Sequence, residues 1–93
     1  MEILSSVMKT SSRYPQLAEK WNNTGDAFKS AGRYVDAIKC YDRAIDIEPN
    51  LAKAWYNKGL ALQKLSREKE AQVAFVTAMK LGHISTYIIQ TKS

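Results

Sequence analysis

The feature that most constrains this chain is self-similarity at a fixed spacing of 34 residues. Sliding the sequence on itself by that amount lays residues 18–51 over residues 52–85. Eight pairs are then identical: Ala18/Ala52, Trp21/Trp55, Asn23/Asn57, Gly25/Gly59, Ala27/Ala61, Arg33/Arg67, Ala37/Ala71 and Ala44/Ala78. Phe28/Leu62, Asp36/Glu70, Tyr41/Phe75, Ile45/Met79 and Ile47/Leu81 are chemically similar. A period in this range marks a duplicated supersecondary unit, whose copies bury their apolar faces on one another.

Each copy reads as two helices. Leu17, Trp21, Thr24, Phe28 and Ala31 recur at steps of three and four, which puts them on one helical face. Pro15 suits the first turn, where its missing N–H costs nothing. After the break at Gly32 and Arg33, a second stripe is formed by Tyr34, Ala37, Ile38, Tyr41, Ala44 and Ile45, with Asp36 near the positive end of the helix. Pro49 stops that helix, and Asn50 is placed to cap the next one. The third helix is expected to bury Leu51, Trp55, Leu62 and Leu65. Ser66 is expected to cap a fourth, with Glu68 and Glu70 in its first turn and Lys80 in its last. Gly82 would close it in a left-handed conformation. No convincing stretch alternates with the two-residue period of a strand, so the fold is expected to be all-α.

Two glycines at equivalent helical positions need a reason, because each costs about 1 kcal/mol relative to alanine in an exposed helix. Close helix approach supplies one. Gly25 and Gly59 leave room for the partner helix, as do Ala37, Ala44, Ala71 and Ala78 from the other side. The large residues Trp21, Phe28 and Tyr41, matched by Trp55, Leu62 and Phe75, would fill the volume beside them. Truncating Trp21 or Trp55 to alanine is then expected to cost ~3–5 kcal/mol.

These residues resemble the tetratricopeptide repeat (TPR) family. Its pattern of W-x2-L-G-x2-Y, A-x3-F-x2-A and P is met by Trp21, Gly25, Phe28, Ala37, Tyr41, Ala44 and Pro49. Trp55, Gly59, Leu62, Ala71, Phe75 and Ala78 meet it a second time. The leucine position holds Thr24 and Lys58, and His83 stands where the second proline would be. The resemblance implies antiparallel helix pairs stacked as a short right-handed superhelix. It divides the chain into an N-terminal segment that is frayed or disordered (1–14), a first repeat (15–51), a second repeat (52–82) and a C-terminal capping helix and tail (83–93). The capping helix is suggested by Ile84, Tyr87, Ile88 and Ile89, and the leading segment carries Ile3, Leu4, Val7 and Met8.

Members of the family typically hold a peptide or partner protein in a concave groove lined by the first helix of each repeat. Here the resemblance assigns that role to Asn22, Asn23, Asp26 and Lys29, and to Lys53, Tyr56, Asn57, Leu60 and Lys64, with Glu19, Ser30 and Gln63 beside them. Asparagines can bond a peptide backbone, lysines attract carboxylates, and tyrosine offers contact area at low entropic cost. A sub-type of the family clamps a C-terminal carboxylate with lysines, asparagines and an arginine over three repeats. Asn23, Lys53 and Asn57 match part of that set. Asn22 and Asp26 stand at two of its other places, and Asp26 would repel a carboxylate, so the full clamp is not expected.

Charge narrows the alternatives. The net +5 of the chain lies entirely after residue 50, where seven basic residues face only Glu68 and Glu70. This is either an attraction for an acidic partner or a solvated lysine surface. A nucleic-acid-associated repeat is the competing class, but no base-reading aromatic pattern accompanies the lysines, which argues against nucleic acid. A scaffold segment with no ligand of its own is the third reading. The sole cysteine, Cys40, allows no intramolecular disulfide and suits a reducing, cytoplasmic setting. No apolar run reaches the ~18 residues of a membrane span. His83, the only histidine, sits at a turn, so no metal site, cofactor or catalytic constellation is expected. The chain thus reads as a non-enzymatic binding module, an adaptor or scaffold, either monomeric or weakly self-associating.

Overall fold

A computed structural model describes residues 14–82. The expected frayed N-terminal segment (apart from Tyr14) and the expected capping helix lie outside the described residues. Four helices follow one another: α1 (Pro15–Ser30), α2 (Tyr34–Ile47), α3 (Ala52–Lys64) and α4 (Glu68–Lys80). Adding 34 to the last residue of α1 and the first of α2 gives the last of α3 and the first of α4, so the duplication in sequence is a duplication of helical hairpins. Each helix packs on the next, and α1 also meets α3. There is no strand among the described residues, and the chain is all-helical as its periodicity predicts.

The core is built from small residues and a few large ones. Ala37, Ile38, Tyr41, Ala61, Leu62, Ala71 and Ala74 form one buried cluster, flanked by Phe28, Tyr34, Trp55, Leu65 and Phe75. Gly25 and Gly59 behave alike. A methyl added at Gly25 would lie 2.6 Å from a ring carbon of Tyr41, and one at Gly59 would lie 2.6 Å from the same carbon of Phe75. Real side-chain carbons do not approach that closely, so each ring occupies the space a side chain would have taken.

The hairpin turns repeat the same closure. Gly32 N–H donates to Lys29 O and Arg33 N–H to Phe28 O; Ser66 N–H donates to Gln63 O and Arg67 N–H to Leu62 O. This is the paired closure in which a left-handed residue satisfies the last free carbonyls of a helix. Gly32 has φ +78°, Ser66 has φ +62°, and Gly82, which ends α4 as expected, has φ +95°. Arg33 and Arg67 then precede the next helix and bind the acid three residues on, Asp36 and Glu70, at 2.7 Å in both repeats.

Several sequence expectations are corrected. Ser66 does not cap α4; it ends α3, and neither it nor Asn50 makes a side-chain cap, since Arg67 and Leu51 occupy the cap positions. The buried face of α1 is Ala18, Asn22 and Gly25, while Leu17, Thr24 and Ala31 are exposed. The expected stripe was therefore turned from the true one toward the larger apolar residues. The two tryptophans are also unequal. Trp55 lies against the core and donates to Pro49 O at 3.0 Å. Trp21 is half-buried outside the cluster, with the Arg43 guanidinium 5.6 Å from its ring. Both rings are half-buried, but Trp55 is tied to the Pro49 carbonyl just beyond α2, whereas no helix precedes α1 among the described residues.

Candidate binding surface

The surface assigned by the family pattern lies on α1 and α3, and its residues are tied together by polar contacts across helices. Asn57 Nδ2 donates to Asn22 Oδ1 at 3.1 Å, joining α3 to α1. Lys53 Nζ stands 2.8 Å from Glu19 Oε1 across the same pair of helices. Tyr41 Oη on α2 donates to Asp26 Oδ1 at 2.6 Å. Burial and this hydrogen bond push the Tyr41 hydroxyl far above its ordinary value, so it stays protonated and donates throughout the physiological range.

These contacts sort the expected site residues by what they are free to do. Asn22 is only 2% exposed and is occupied by Asn57, so it joins the helices and does not line an open groove. Asp26 is half-buried and holds the Tyr41 hydroxyl, and Asn57 is half-buried with one amide hydrogen engaged. Asn23, Lys53 and Lys64 are exposed, Lys53 in its ion pair; Lys29 and Leu60 are half-buried. Tyr56 is half-buried, its ring tilted 49° against Phe75 at 5.5 Å between centroids.

Sequence reasoning missed two of these links. The period pairs Asn23 with Asn57, yet the hydrogen bond joins Asn57 to Asn22, a contact between repeats that self-alignment does not reveal. The Tyr41–Asp26 bond did leave a trace. At the equivalent places the second repeat has Phe75 and Leu60, so donor and acceptor disappear together. Such paired replacement is what an otherwise unsatisfied buried polar group demands.

Elsewhere, Lys58 of α3 binds Asp42 of α2 at 2.7 Å and lies 5.6 Å from the Trp55 ring centroid, its stem along the core as a snorkelling lysine should be. Cys40 is buried, and burial followed by the Asp36 charge raises its thiol above the ordinary value, which leaves it inert near neutrality. Among the described residues, no group of three or more histidine, cysteine or acidic side chains is arranged to hold a metal ion. Among them too, no helix is long and apolar enough to cross a membrane.

Paired hairpins at a 34-residue period, with glycine against an aromatic ring in each, define a helical repeat protein. Residues 25–66 match the family described as TPR repeat, and residues 52–81 match the family described as tetratricopeptide repeat. The chain belongs to the tetratricopeptide repeat family. It is similar to the peroxisomal targeting signal receptor of Candida glabrata, at 30% identity over 64 residues, 69% of this chain and 11% of that protein. BBSome complex member BBS4 of Xenopus tropicalis is 31% identical over 80 residues, 86% of this chain and 16% of that protein. An uncharacterised protein of Methanocaldococcus jannaschii is 34% identical over 58 residues, 62% of this chain and 67% of that protein. The chain thus spans about a tenth of the length of the targeting signal receptors it matches.

Proposed function

We propose that this chain is a protein–protein interaction module that holds a peptide or partner protein along the α1–α3 face, in an adaptor or scaffold role and without catalysis. The observation that carries the reading is the locking of two equivalent helices side by side by Asn22–Asn57 and Glu19–Lys53. Helices fixed in this way present Asn23, Lys29, Tyr56 and Lys64 as a preorganised row, and preorganisation lowers the ordering cost of binding. Asn23 and the remaining capacity of Asn57 suit the backbone of an extended segment. The similarity to a targeting signal receptor supports a protein ligand. The solitary, inert Cys40 agrees with a cytoplasmic setting.

A nucleic-acid ligand has less support. Lys53, Lys58 and Arg67 are each occupied by a carboxylate, from Glu19, Asp42 and Glu70, which engages three of the seven basic residues that follow residue 50. A Tyr56→Ala/Lys53→Ala variant, compared with the parent chain in an affinity capture read by mass spectrometry, tests the groove. Loss of a captured protein in the variant, with the helical circular dichroism unchanged, is the expected result. Retention of every captured protein would instead assign the chain a scaffold role in a longer array. A steep fall in affinity with salt would point to phosphate contacts.

A further inference from the structure

We infer that residues 1–13 lie along the outer side of α1 and cover it as α2 covers α3, so that the chain's own leading segment fills this side of the molecule. The surface there is built to be covered. Leu17, Lys20, Trp21 and Thr24 border a groove of about 240 Å³ on α1. All but Trp21 are exposed, Leu17 to 44%. The equivalent residues of α3 are Leu51, Ala54, Trp55 and Lys58. Beside α2 none of these four is exposed, and Ala54 is at 0%.

The register of the chain names the occupant. Residues 1–13 stand 34 places before residues 35–47, which are all of α2 but its first residue. Pro15 and Leu17 then repeat Pro49 and Leu51. The chain also enters the two helices alike: Leu17 N–H donates to Tyr14 O at 3.1 Å, as Leu51 N–H donates to Glu48 O at 3.0 Å. Glu2 matches Asp36 and Glu70, the acids in the first turns of α2 and α4, where the helix dipole favours them. Ile3, Leu4 and Val7 fall at the places of Ala37, Ile38 and Tyr41, all three buried.

Contacts between α2 and α3 show what the pairing would bring together. Ile38 shares a buried cluster with Leu62, and Asp42 binds Lys58. Shifted back by 34, these pairs become Leu4 with Phe28 and Met8 with Thr24. The first stays apolar. In the second both charges vanish together, as contact between the two places demands, since a charge kept on one side alone would lie unpaired against apolar atoms. Thr24 Oγ1 donates to Lys20 O at 2.9 Å, so its hydroxyl needs nothing from the cover. One turn along, Ser11 and Ser12 replace Ile45 and Asp46. Small side chains there leave the Lys20 ammonium a path to water. They also make this cover thinner than α2, so Trp21 stays the less engaged of the two rings.

The test is made on the full chain. Met8→Asp and Thr24→Lys rebuild the Asp42–Lys58 pair at the equivalent places, and urea unfolding measures each variant and the double. The double should have an unfolding equilibrium constant at least about threefold smaller than the two separate effects multiplied together give. High salt should shrink that excess. Amide hydrogen exchange should find residues 4–13 protected in the parent chain. Leu4→Glu should speed their exchange at least about tenfold while α3 keeps its protection. Purely additive effects of Met8→Asp and Thr24→Lys, or unprotected amides over residues 4–13, would overturn the proposal and leave the face open to a partner protein. A mass that rises with concentration and returns to that of one chain on Leu17→Glu would overturn it too, by making the occupant a second copy.

Discussion

Ser66 holds a conformation that its side chain disfavours. With φ at +62° it does for α3 what Gly32, at φ +78°, does for α1. A left-handed residue bearing a Cβ costs roughly 1–2 kcal/mol, and glycine removes that cost while adding freedom to the unfolded chain. Ser66→Gly is therefore expected to stabilise the fold by about 0.5–1 kcal/mol, raising the melting temperature by a few degrees. Thermal denaturation followed at the helical band checks it. An unchanged or lower melting temperature would mean that the serine side chain contributes something the backbone account omits. The sequence showed the period here, but Ser66 followed by acidic residues also resembles a helix start. Only the backbone of the turn decides between starting α4 and ending α3.

At the scale of the element, α1 and α2 are joined by Tyr41. Its ring fills the space over Gly25, and its hydroxyl is held by Asp26. The folded chain keeps this proton above the ordinary value of 10.0, where the unfolded chain releases it. The unfolded state then binds fewer protons, so stability falls as pH rises. The contribution is fully present below pH 10 and is lost progressively above it, and the raised Cys40 thiol acts in the same direction from about pH 9. Urea unfolding between about pH 8 and pH 11 should show this decline, and Tyr41→Phe should make it shallower while costing about 1 kcal/mol at neutrality. An equally steep decline in the variant would remove Tyr41 from the alkaline transition. The elements themselves were largely legible in the sequence, since spaced alanines, glycines and aromatics define each hairpin. The face of α1 was not, because its buried residues are Ala18, Asn22 and Gly25. Hydrophobic periodicity weights large apolar side chains, and here small and amide-bearing residues make the close contact. Two of the nine candidate site residues went unread for the same reason, as Asn22 and Asp26 look like surface residues until Asn57 and Tyr41 are placed beside them.

Across the whole molecule, repeat stability is a sum of hairpin terms and the terms between neighbours. The interface between α2 and α3 holds Ile38 and Leu62 in one buried cluster and adds the Asp42–Lys58 pair, while Asn22–Asn57 and Glu19–Lys53 join the first helices. Trp55 lies at this junction, packed on the core and bonded to the Pro49 carbonyl at the end of the first repeat. Trp21 holds the equivalent position in the first repeat, where no repeat precedes it among the described residues, and the Arg43 guanidinium lies over its ring. The two substitutions that sequence symmetry makes equivalent are thus expected to differ. Trp55→Ala removes packing within one repeat and between two, and should cost ~3 kcal/mol or more. Trp21→Ala removes a half-buried ring and one cation–π contact, and should cost at least about 1 kcal/mol less. Urea titrations of both variants measure the difference directly. Equal losses would mean that something covers the outer face of α1 as α2 covers α3, and the junction between the repeats would no longer explain why the second tryptophan is the more deeply engaged.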